Sequence, residues 1–137
     1  MKKDIVLGGY WIDADSVRHQ LPVVVNPSNS ITENVIRNVS GAGKGVVAMG
    51  CNPPPEIGPD KLELYVDDGN LLLMLNVNEE DGDCSVRTLT NEKMPNSLMT
   101  ILGEKYPATA VTQDIGFVCT VFNEFAHVGN VSTDLLN

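Results

Sequence analysis

Gly41-Ala42-Gly43-Lys44-Gly45 has the composition of a phosphate-binding loop, the first place to look for chemistry in this 137-residue chain. The spacing does not support it. A phosphate loop needs glycine where Asn38 stands and Ser or Thr where Gly45 stands. It must also lead into a helix, whereas this segment follows one and precedes a strand. It reads as a helix stop and connector. The acidic stretch Glu79-Glu80-Asp81-Gly82-Asp83 suggests calcium. If Gly82 took the sixth place of an EF-hand loop, Val77 and Thr88 would stand at its two acidic ends, so that geometry is absent. Cys119 and His127 share a helix but lie eight residues apart, roughly 12 Å along the axis, too far for a nucleophile and its base. His19 sits among polar residues and reads as exposed. The other cysteines, Cys51 and Cys84, complete neither a metal-binding spacing nor a disulfide framework. No cofactor, metal or catalytic set is expected.

Charge is the more informative signal. Eighteen acids face nine bases, a net charge of −9. Nine of the acids fall between Glu56 and Asp83, where Lys61 is the one base. Asp67 and Asp68 form one group; Glu79, Glu80, Asp81 and Asp83 form another. Such a balance excludes a nucleic-acid partner, which demands a basic surface. It suits a basic protein partner, or solubility alone. Trp11, the single tryptophan, is a second candidate contact; a core place beside the first strand fits it equally. Lys2 and Lys3 precede only a short apolar stretch, with no cleavage site and no membrane span, so a reduced cytosolic setting is expected.

The elements that must position these residues follow from periodicity. Ile5 to Ile12 reads as a strand, with Gly8-Gly9 a bulge or close approach. Asp13 to Gln20 reads as a turn, and Leu21 to Val25 as a β-branched strand. Ser30 and Glu33 have the capping-box spacing, so a helix is expected from there to Gly41 or Gly43, with Ile31, Val35 and Val39 inward. Gly45 to Met49 is a strand, and the proline-rich Asn52 to Pro59 a connector. Lys61 to Val66 and Leu71 to Val77 flank Asp67-Asp68-Gly69-Asn70, a hairpin pattern. The nearly all-apolar second arm should be central and covered on both faces. If so, the two acidic groups lie at opposite ends of one strand, about 30 Å apart. Cys84 to Leu89 alternates like a strand; Ser97 to Leu102 fits either a strand or a helical turn. Ala108 to Val111 reads as a strand. Ile115, Val118, Phe122 and Phe125 form one stripe of a closing helix, capped by Thr112 and stopped by Gly129. The sum is a single α+β domain over 1–137: a largely antiparallel sheet of about six strands with two packed helices.

The last third, with Tyr106-Pro107, a strand, then a helix carrying Glu124-Phe125 and the following Gly129, resembles the C-terminal half of Imm1-type immunity proteins. Ser132 and Leu136 or Asn137 stand where that family often has a proline and a tryptophan. The resemblance implies a cytosolic inhibitor that occludes the active site or substrate groove of a cognate, nucleic-acid-targeting toxin domain. The contrasting expectation is a non-enzymatic structural or adaptor domain, phage- or secretion-associated, whose acidity serves solubility.

Overall fold

The computed structural model describes residues 3–137; Lys2, read with Lys3 in the question of a leader, lies outside the described residues. β1 (Asp4–Ile12), β2 (Arg18–Gln20) and β3 (Val24–Val25) come first, then α1 (Asn29–Ala42). β4 (Lys44–Asn52), β5 (Gly58–Asp67), β6 (Asn70–Asn78) and β7 (Cys84–Thr88) form a meander. β8 (Leu98–Ile101) and β9 (Glu104–Pro107) make a separate hairpin. A 3-10 turn (Ala108–Ala110), β10 (Val111–Thr112) and α2 (Ile115–Val128) close the chain. The main sheet has eight antiparallel strands in the order β10-β6-β5-β4-β1-β2, with β3 also on β1 and β7 also on β6. The class is α+β, as the sequence predicts.

Alternation along the strands decides the two faces. Leu7, Val47, Met49, Leu62, Leu64, Val66, Leu71, Leu73 and Leu75 point to one face and are fully buried under both helices. α2 supplies Val118, Val121, Phe122 and Phe125. α1 supplies Thr32, Ile36 and Val39. Packing is tight where α1 crosses β4: a Cβ on Gly45 would lie 2.7 Å from Val39 Cγ1 and 2.5 Å from the Tyr10 carbonyl oxygen. On the opposite face, Leu72 joins Ile101, Ala110 and Val111 beneath the β8–β9 hairpin. β6 is therefore covered on both sides, which is why it is almost wholly apolar.

Several local expectations shift. The α1 cap is Ser28, whose Oγ accepts from the Ile31 amide at 3.2 Å. Packing on the sheet turns Thr32 and Ile36 inward and leaves Ile31 exposed. The first turn region carries β2, because Arg18–Gln20 completes ladder bonds to β1. Only Val24 and Val25 of the β-branched run pair, and Ala108–Ala110 turns as 3-10 before the two-residue β10. Asp114, one of the residues after Thr112, caps α2 by accepting from the Phe117 amide at 3.1 Å. Thr112 instead accepts from the Asp114 amide at 3.1 Å. Ser97 to Leu102 resolves as a strand, since β9 gives it a partner.

Candidate functional site

The glycine-rich connector is built as a helix exit. Gly41 and Ala42 lie in the last turn of α1, and Gly43 ends it by donating to the Ser40 carbonyl at 3.1 Å. The helix C-terminus faces this loop and disfavours anions. Lys44 Nζ lies 3.4 Å from Asp67 Oδ1. Cys119 is buried in the core, where desolvation raises its thiol pKa, while His127 is exposed on the same helix.

The acidic residues separate as the hairpin predicts. Asp68-Gly69 is a two-residue turn with φ of 49° and 86°, placing Asp67 opposite Asn70 at one end of β6. The loop Glu79 to Asp83 sits at the other end. Within each group the carboxylates differ in duty. Asp67 is committed to the fold: besides Lys44, its Oδ2 accepts from the Leu102 amide at 2.9 Å, fixing the tip of the β8–β9 hairpin. Glu79 accepts from the Ser85 hydroxyl at 2.6 Å, and Asp81 from the Asp83 amide at 3.0 Å. Asp68, Glu80 and Asp83 are exposed and accept no side-chain hydrogen bond among the described residues.

Trp11 lies on the helix-facing side, half-buried against the core. His19 stacks on it, ring centroids 4.2 Å apart and 14° from parallel. His19 is not free in solvent: its Nε2 is 2.7 Å from Asp13 Oδ2. Asp13 Oδ1 also accepts from the Asp15 and Val17 amides. The His19 hydrogen bond first, then the Val17 amide, hold the Asp13 carboxyl below its ordinary value. A depressed carboxyl pKa contributes stability above the unfolded-state value and loses it as pH falls through the folded value. In an NMR titration Asp13 should therefore protonate below ordinary aspartates, and His19→Ala should move it back up. An Asp13 midpoint untouched by His19→Ala would show that the contact is not made in solution.

The opposite face of the sheet escaped the sequence reading. The ladder register aligns Tyr10, Val46, Tyr65 and Leu72 in one row, Gly8, Ala48 and Glu63 in the next, and Val6, Gly50 and Lys61 in a third. Arg18 lies over the Tyr10 ring at 4.3 Å, and Tyr65 meets Tyr106 edge-on at 6.3 Å. All three tyrosines of the chain thus gather on this face. Burial first, then the Glu63 charge, raises the Tyr65 hydroxyl pKa. The β8–β9 hairpin covers the β5–β6 half, whereas Ala48, at the centre of β4, is only half-buried. A hollow of about 400 Å³ opens there, lined by Val6, Gly8, Ala48, Gly50, Asn52 and Lys61. A larger one, about 730 Å³, lies between Thr90 to Met94 and the start of α2. Two of its polar groups are already engaged: Asn91 Nδ2 donates to the Val111 carbonyl at 3.1 Å, and the Asp114 carboxylate caps α2.

Arg87 was also missed. It donates to the carbonyls of Val131 (2.6 Å) and Leu136 (2.6 and 3.0 Å) and to Asn130 Oδ1 (3.1 Å), pinning the C-terminal segment to β7. Residues 124 to 129 serve the same region. Phe125 is core, Glu124 Oε2 accepts from the Ser132 amide at 3.3 Å, and Gly129 (φ 70°) ends α2 in the left-handed conformation.

The architecture defines an α+β protein with one helix-backed face and one half-open face. The chain belongs to the DUF6911 family, a family of unknown function, whose model matches residues 4–135. It is also similar to the crystal structure of a hypothetical protein from Neisseria gonorrhoeae, at 30% identity and a TM-score of 0.83, over 96% of this chain and 92% of that one. No curated protein matches the chain. No described helix is long and apolar enough to cross a membrane.

Proposed function

We propose that this chain is a cytosolic, non-catalytic binding protein that inhibits a basic protein, of the kind expected of a cognate toxin domain acting on nucleic acid. The carrying observation is electrostatic. The chain has a net charge of −9, and exposed carboxylates stand at both ends of the β5–β6 hairpin. A domain that handles nucleic acid presents a basic groove, which an acidic surface can steer toward and cover. The resemblance of the last third to Imm1-type immunity proteins agrees with this reading.

The test is association with the domain encoded by the gene immediately upstream, scored with rescue of that domain's toxicity. Asp68, Glu79, Glu80, Asp81 and Asp83 changed together to Asn or Gln should slow association at least about tenfold at low salt. The difference should shrink as salt screens it. Asp67 is retained in that variant, because removing it loosens the hairpin tip. An unchanged association rate at low salt would refute the steering role.

A further inference from the structure

The free carboxylates account for attraction but not for where a partner settles; the open face of the sheet offers that place. Resting on the reading that the partner is a basic protein, we propose that the uncovered half of this face, centred on Ala48 and Gly50 beside the Tyr10–Val46–Tyr65 row, is its docking surface. Three observations converge. Ala48 and Gly50 lie on β4, between β1 and β5, yet remain only half-buried. The floor is small and apolar, from Val6, Gly8, Ala48 and Gly50, so a side chain of the partner can enter the hollow of about 400 Å³. Tyr10 and Tyr65 stand in the adjoining row, with Arg18 over the Tyr10 ring; Tyr and Arg are among the residue types that carry binding energy at protein interfaces.

Charge complementarity selects the occupant. The Asp68 turn lies at one end of β6 and the Glu79 to Asp83 loop at the other, so the face is bracketed by negative charge along the strand direction. The bases on the face are engaged internally: Arg18 on the Tyr10 ring, Lys44 3.4 Å from Asp67, and Lys61 3.9 Å from Glu63. A positively charged domain therefore meets carboxylates at both margins while its central side chain fills the apolar floor.

The test is to fill the floor. Gly50→Arg is compatible with the fold, because a Cβ there meets only ordinary contacts at 3.7 and 3.8 Å. Ala48→Arg fills the same space from the neighbouring row. Both variants should keep the wild-type melting profile and weaken the complex with the upstream-encoded domain at least about 30-fold, the loss expected on blocking an interface centre. Should a variant unfold, the Ala48 methyl resonance of the wild-type chain, which must shift on complex formation, gives the answer. If the wild type binds and both folded variants bind within about twofold of it, this docking face is wrong while the inhibitor reading survives. If the wild type does not bind at all, the inhibitor reading fails, and this face falls with it. If the wild type alone sediments as a dimer that either variant dissociates, the occupant is a second copy, and the proposal is overturned.

Discussion

Phe125→Ala and Phe122→Ala should each lower the unfolding free energy by about 3–5 kcal/mol, the cost of emptying a well-packed aromatic site. Both rings are 0% exposed. They sit on the inward stripe of α2, flanked by Val118 and Val121 and packed with the leucines of β5 and β6. Each ring stands in the middle of the helix–sheet contact, where the neighbours cannot collapse without moving the helix. A domain of this size has about 5–15 kcal/mol in total, so either change removes a large share. The melting temperature should fall by roughly 10–20 °C. Phe117→Ala, at the half-buried edge of the same helix, should cost clearly less. Urea unfolding with an unchanged slope is the measurement. A loss below about 1 kcal/mol for both core rings would mean that α2 does not dock on the sheet as described.

That α2 was legible and the site was not has a physical cause. The stripe Ile115, Val118, Phe122, Phe125 repeats at helical spacing, and Gly129 marks its end, so both follow from local chemistry alone. The β5–β6 hairpin is legible for the same reason: Asp68-Gly69 fits only a tight turn, and that fixes the separation of the acidic groups. Caps were misplaced by two residues because Ser28, Ser30, Thr112 and Asp114 are all competent caps. The Ser28 bond to the Ile31 amide marks where α1 begins, and packing against the sheet sets Thr32 and Ile36, rather than Ile31, on its inward face.

The open face depends on information that no local window holds. Tyr10 and Tyr65 become neighbours across Val46 only through the pairings of β1 with β4 and β4 with β5. Gly8, Ala48 and Gly50 look like weak strand residues until the register sets them side by side. Asp67 is the reverse case. In sequence it cannot be told from Asp68, but its side chain is bound to Lys44 and to the Leu102 amide. The charge pattern thus showed the two acidic ends without showing which carboxylates remain free for a partner.

Gly9→Ala should be the most damaging single-methyl change in the sheet, at about 3 kcal/mol or more. Two costs coincide there. The backbone has φ of 131°, a conformation L side chains rarely adopt, and the added Cβ would lie 2.0 Å from the Val46 carbonyl oxygen. The carbonyl cannot retreat, because it belongs to the β1–β4 ladder at the middle of the sheet. Relief requires β1 to shift, which also disturbs the Leu21 amide bond to the Gly9 carbonyl at 2.9 Å and so the β2–β3 edge. Gly50→Ala is the matched control. It adds the same methyl to β4 with contacts no closer than 3.7 Å, so stability should stay within about 1 kcal/mol of wild type. Urea unfolding of the two variants separates the effects, and faster amide exchange confined to β1 through β3 should accompany Gly9→Ala. Equal stability of the two variants would show that the close crossing of β1 and β4 at Gly9 does not exist in solution.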